Sequence, residues 1–207
     1  MDAPRGKDKI VPVTAEISKH LAYYKSQNGI GVLAPRGWHC FGTYGSSGAT
    51  TYVSPEPIDG TTVFSSEWHG FSGNVIQISS SIGDTSGRFV VAEIIARVFP
   101  AHKSFVENVI QEGIEPASSF PSGPYPNDKL SYKSSEIVEY ETPAQTEGLG
   151  TRSRLQKNAQ PIVGAEILAG ETPDLVSVAL RLPAGQSSLM PIIIQQVEKD
   201  ANSSQQE

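Results

Sequence analysis

Two apolar stripes of helical period lie back to back in the middle of this chain, with stretches of strand character on either side. In the first, Phe89, Val90, Ile94, Ile95 and Val98 form one broad stripe, and Arg88, Glu93 and Arg97 take much of the other side. Pro100 ends it. In the second, Phe105, Val109 and Ile110 face inward, Ser104 and Glu107 have capping-box spacing, and Gly113 supplies a left-handed stop. A helix pair set between runs of strands, without regular strand–helix alternation, favours an α+β layer arrangement over a doubly wound parallel sheet.

The strand runs can be read from composition and period. Residues 38–44 and 49–53 are rich in Thr and aromatic side chains and flank Ser46-Ser47-Gly48, which is the chemistry of a hairpin turn. After the breakers Pro55, Pro57, Asp59 and Gly60, a further strand is expected at 61–64. At 75–81, Val75, Gln77 and Ser79 alternate with Ile76 and Ile78. Later strands are expected at 137–141, 161–168 and 175–182, before an amphipathic helix at 189–199 that buries Met190, Ile193, Ile194 and Val197. Upstream, Ile17, Leu21 and Tyr24 suggest a short helix or an extended lead-in within 11–24, with the organised part starting near Ile30. The expected fold is an antiparallel sheet flanked by the helix pair and the C-terminal helix. It forms a single soluble domain over 11–199, with a flexible arm at 1–10 and a flexible tail at 200–207.

Charge and hydropathy remove several function classes. With 16 Lys and Arg against 22 Asp and Glu the net charge is -6, which leaves no broad cationic field for phosphate backbones, so no nucleic-acid partner is expected. No apolar run approaches the roughly 20 residues of a membrane span. The one cysteine, Cys40, excludes an intrachain disulfide framework and a multi-cysteine zinc site. A composition rich in Ser, Thr, Gly and Pro points to an exported protein, secreted or periplasmic after leader removal, with the cytoplasm as the alternative.

The segment Gly31-Val32-Leu33-Ala34-Pro35-Arg36-Gly37-Trp38 resembles the Pro-x-Gly-Trp opening strand of the PsbP-like α+β family, and the strand at 175–182 followed by the helix at 189–199 is similar to that family's ending. The resemblance implies a helix-flanked antiparallel sheet whose members mostly bind partners and do not catalyse. It carries no functional residue over to this chain.

Several constellations could hold chemistry. Both tryptophans are followed by histidine, in Trp38-His39-Cys40-Phe41-Gly42 and Trp68-His69-Gly70-Phe71. Brought together, His39 and His69 could ligate a metal, or His69 could activate Cys40 as a nucleophile. The plainer reading is that each Trp anchors a sheet layer and Cys40 is a core thiol on the same inward face as Trp38. Gly83-Asp84-Thr85-Ser86-Gly87 opens a helix, so its amides and Arg88 could meet an anion, although cap formation comes first. Glu139 and Glu141 share one strand face, ahead of Arg152 and Arg154, and read as a cross-strand charge ladder. The Pro-rich stretch 114–129 is stiff, as an ordered loop or a lid, and presents Phe120 and Tyr125 as a contact surface. No motif calls for a cofactor. The leading expectation is a non-catalytic binding or accessory domain for an unidentified protein or small molecule, and the alternative is a hydrolase or metal-dependent enzyme using His39, Cys40 and His69.

Overall fold

The structure is a computed structural model that describes residues 11–203; the arm expected at 1–10 and the last residues of the expected tail, 204–207, lie outside the described residues. After helix α1 (Ala15–His20) come strands β1 (Leu21–Lys25), β2 (Gly31–Pro35), β3 (His39–Gly45) and β4 (Gly48–Ser54). A short helix α2 (Gly60–Val63) and β5 (Val75–Ser81) lead to the helix pair α3 (Arg88–Val98) and α4 (Lys103–Gln111). Strands β6 (Lys129–Tyr132), β7 (Ile137–Thr142), β8 (Ile162–Ala169) and β9 (Asp174–Arg181) follow, and α5 (Met190–Ser203) closes the fold. Seven strands form one antiparallel sheet in the order β3-β4-β5-β9-β8-β7-β6, while β1 and β2 make a separate antiparallel ribbon. The α+β class and the flanking helices are as the sequence led us to expect.

Strand alternation divides the sheet between two cores. Ile76 and Ile78 of β5, Ala165 and Ile167 of β8, and Val178 and Leu180 of β9 project to one side, where β2 and the α5 residues Ile193, Ile194 and Val197 cover them. The opposite parity, Val138 and Tyr140 of β7, Leu168 of β8 and Leu175 of β9, meets Val91, Ile94, Ile95 and Val98 of α3 and Val106 and Val109 of α4. A smaller third cluster, Val75, Leu155, Ile162 and Ala179, lies on this second face beneath the long β7–β8 connection. That connection is fastened by Arg181, 1% exposed, whose guanidinium donates to the carbonyls of Gly73 (3.2 Å) and Gln156 (2.6 Å). Phe71 seals the same junction by donating its amide to Arg154 O (2.7 Å) and accepting from Gln156 N (2.8 Å).

Several local expectations are corrected. Residues 61–64 are not a strand: the Asp59 carboxylate accepts the Thr62 amide at 2.9 Å and caps the helical turn Gly60–Val63, a local bond that outweighs the β preference of the Thr pair. The 11–24 segment is both a helix and a strand, with Leu21 and Tyr24 in β1, so organised structure begins well before Ile30. Strand β6 went unread because Lys129 and Ser131 make it polar. The capping-box reading at Ser104 fails, since a 3-10 turn over Pro100–His102 runs directly into α4 and makes His102 its N-cap. Gly113 is at φ 71°, the left-handed stop expected. Within α3, Val91 takes a core place and Val90 is exposed, so the stripe is rotated from the one first drawn.

The C-terminal boundary also moves. Helix α5 takes in the first part of the expected tail, Ala201 is buried against the sheet, and Tyr23 donates to Asp200 at 3.0 Å. Ending the chain at Lys199 is therefore expected to lower the unfolding free energy by about 1–2 kcal/mol, the worth of a hydrogen bond and a buried methyl. Urea unfolding measures this, and an unchanged midpoint would refute the docking of that last turn.

Candidate functional site

On the helix-pair face the centre of the sheet is polar. Register sets Thr50 of β4 opposite Ser79 of β5, Ser79 opposite Ser177 of β9, and Ser177 opposite Glu166 of β8. The row is bonded: Thr50 Oγ1 donates to Ser79 Oγ (3.2 Å), Gln77 Nε2 donates to the same oxygen (3.1 Å), and Ser177 Oγ donates to the Glu166 carboxyl. Above this row stands α3, with Val90, Glu93 and Ile94 among the residues that line the space. A cavity of about 480 Å³ remains between them, within the range of small-molecule sites.

Its walls come from distant parts of the chain. Glu93 and Ile94 of α3 stand on one side, and Arg152 and Ser153 of the β7–β8 connection on another. Arg152 donates to Glu93, tying that connection to the helix. The turn bearing Arg152, Leu149–Arg152, is held by Asp128, which accepts from Leu149 N (2.8 Å) and from Thr142 Oγ1 (2.7 Å). Tyr140 lies across Gly164, where a Cβ would come within 2.5 Å of its hydroxyl, and donates to Val178 O at 3.2 Å. The rim is apolar: Phe64, 78% exposed, and the exposed Val90 line the opening, while Tyr44 shares the parity of Cys40 on β3 and projects to the other face.

Glu166 dominates the electrostatics. It is only 3% exposed, and burial pushes its carboxyl up to about 8, opposed only by the Ser177 hydrogen bond. The same burial holds the Tyr140 phenol well above its ordinary value, and the neighbouring Glu166 charge adds to the effect. The acid's folded value is raised, so between the unfolded value near 4.5 and about 8 the folded protein holds a proton that the unfolded chain has lost. The contribution is full below that window and is lost as pH rises through it. Stability is therefore expected to fall between pH 5 and 8, and Glu166→Gln to flatten that slope; a slope unaffected by the substitution would overturn the assignment.

The residues singled out in the sequence lie elsewhere. On β3, His39 and Cys40 are neighbours and project to opposite faces, Cys40 toward the α5-side core with Trp38. His39 and His69 are both exposed, and among the described residues no group of three or more His, Cys, Asp or Glu side chains is placed to hold a metal ion. Phe120 is not presented to solvent: at 6% exposure it packs in the α3–α4 core, because the Pro-rich segment folds back onto α3. Gly123 N donates to Ala96 O (2.9 Å), and the Arg97 guanidinium lies 4.2 Å from the half-buried Tyr125 ring. Arg88 is already engaged, donating to Glu112 Oε2 (2.8 Å) and Thr85 O (2.7 Å), and the Gly83 amide donates to Asp174 (2.8 Å). The carboxylates of Glu139 and Glu141 pair with Lys133 (3.0 Å) and Lys129 (2.7 Å), the ladder expected of them.

Burial pushes the Cys40 thiol up to about 11. Its thiolate is correspondingly scarce, and native-state labelling by a thiol reagent is expected to run on the order of a hundredfold slower than for a free cysteine. Labelling at the rate of the urea-unfolded chain would contradict a structural thiol.

No protein-family model, curated protein or solved structure matches this chain. Among the described residues, no helix is long and apolar enough to cross a membrane.

Proposed function

We propose that this chain is a non-catalytic binding domain whose ligand is a small molecule received in the cavity between the helix pair and the sheet. The observation that carries this reading is the polar row Thr50–Ser79–Ser177–Glu166 on the floor of a roughly 480 Å³ space. A sheet face that packs a helix is normally apolar, and a polar interruption opposite a void loses packing energy without gaining any for the fold. Such a patch makes physical sense where another molecule completes it.

The binding reading is also supported by what the site lacks. Its hydroxyls are hydrogen-bonded to Gln77, to one another or to Glu166, and no His stands among the residues lining the cavity to activate one as a nucleophile. A reaction through Cys40 would need a base on its own strand face, and His39 points away from it. The resemblance of residues 31–38 and of the closing strand and helix to the PsbP-like family adds to this reading, since that family's members mostly bind partners.

The test is a broad fragment set screened by protein NMR against the wild type and Ser79→Phe, whose ring would fill the floor. Fragments that shift wild-type resonances of Thr50, Ser79 and Ser177 are expected to lose at least about tenfold in affinity in the variant, with the fold intact. Binders indifferent to the substitution, or no binder in the cavity at all, would overturn the proposal.

A further inference from the structure

The chemistry of the cavity specifies more than its size, and the inference drawn from it rests on the small-molecule reading above. Three features converge. The floor ends in a carboxyl that is nearly fully buried and receives one neutral hydrogen bond, from Ser177. The charged or titratable groups around it are Tyr140 of β7, Glu93 of α3 and Arg152 of the β7–β8 connection; the last two are paired with each other. Strands β4, β5 and β9 line it with uncharged residues, among them Thr50, Gln77, Ser79 and Ser177. The mouth carries one exposed aromatic ring, Phe64, beside Val90.

We infer that the cavity is a receptor for organic ammonium ions, the charged nitrogen meeting Glu166 at the floor and an aromatic or alkyl body lying against Phe64 and Val90. A buried carboxylate without a cation is costly, and a ligand that brings one removes that cost while gaining a charge-assisted hydrogen bond. Anions are disfavoured by the same carboxyl, while Glu93 and Arg152 neutralise each other at the wall. Neutral alcohols gain only ordinary hydrogen bonds. The rim favours the same class independently, because aromatic faces attract desolvated cations as well as apolar bodies. Binding of an ammonium ion displaces the Glu166 proton, so affinity should rise with pH toward about 8, whereas a neutral ligand gains nothing from that ionisation.

The experiment compares three probes of one shape on the full chain: 2-phenylethylammonium, 2-phenylethanol and 3-phenylpropionate, titrated by protein NMR at pH 6 and 8. The ammonium ion is expected to bind in the cavity at least about tenfold tighter than the alcohol at pH 8, a factor corresponding to 1.4 kcal/mol. That advantage should shrink at pH 6 and vanish in Glu166→Gln, which keeps the shape of the side chain and removes its ionisation. Alcohol binding equal to ammonium binding would overturn the inference and leave the pocket itself standing. Tighter binding of the carboxylate, or an ammonium preference that survives in Glu166→Gln, would also overturn it. Failure of all three probes to shift cavity resonances refutes the ammonium class, while the binding function is decided separately by the fragment screen.

Discussion

Strands β5, β8 and β9 each carry two sets of neighbours, and the fold depends on keeping those sets separate. A slip of one residue in any of these registers would exchange the faces, sending Ser79, Ser177 and Glu166 into the α5-side core and Ile78, Val178 and Ile167 toward the cavity. The apolar set is what prevents it. Ile76, Ile78, Ala165, Ile167, Val178 and Leu180 form a continuous surface under α5 and β2, and their burial holds every strand in phase. The polar row on the other side is therefore positioned by residues that never touch it.

With the phase fixed, the far face can leave its centre unfilled. Apolar contact is concentrated at its two ends: Leu168, Leu175 and Val138 under the helix pair, and Val75, Ile162 and Ala179 under the β7–β8 connection. The cavity lies between these clusters. Its second wall depends on a connection of little regular structure, which the buried Arg181 and the Asp128 carboxylate fasten through backbone groups at both ends. A guanidinium satisfies several carbonyls in one plane, which is why a single charged side chain can fix two loops in an interior.

What the sequence made legible follows from the same division. Period and breakers located the helix pair, most of the sheet and the closing helix, since apolar spacing reports a face that must be buried. The candidate site was not legible by that route. Its residues come from four strands brought together by register; in the chain Glu166 between Ala165 and Ile167 and Ser177 between Val176 and Val178 are single polar residues in apolar runs, while Thr50 and Ser79 stand beside other small polar residues. The alternation at 75–81 displayed Gln77 and Ser79 but could not say what covered them. The Glu inside the 162–169 run was the strongest available signal, because charged residues are seldom fully buried without a partner. Phe120 and Arg88 show the same limit: loop stiffness and helix-start chemistry are visible in sequence, whereas the docking of the Pro-rich segment onto Ala96 and the pairing of Arg88 with Glu112 are long-range facts.

The unpaired state of Glu166 bears on how the site and the stability of the fold are related. Packing does not call for a carboxyl at that depth: Leu168, the next β8 residue on the same face, is apolar and buried under the helix pair. Holding the Glu166 carboxyl near 8 makes the fold lose stability as pH rises from the ordinary carboxyl range to about 8. Neither Ser177 nor the Glu93–Arg152 pair relieves this: the first supplies only a neutral donor, and the second satisfies its own charges at the wall. A residue that weakens its own fold, faces a cavity and sits in a rigid frame is the arrangement expected when the favourable partner of that residue arrives from outside the chain. The rigidity matters as much as the charge. Because Arg181, Asp128 and the α5-side core hold floor and walls in place beforehand, an incoming ligand does not have to order them, and its interaction with Glu166 appears as affinity.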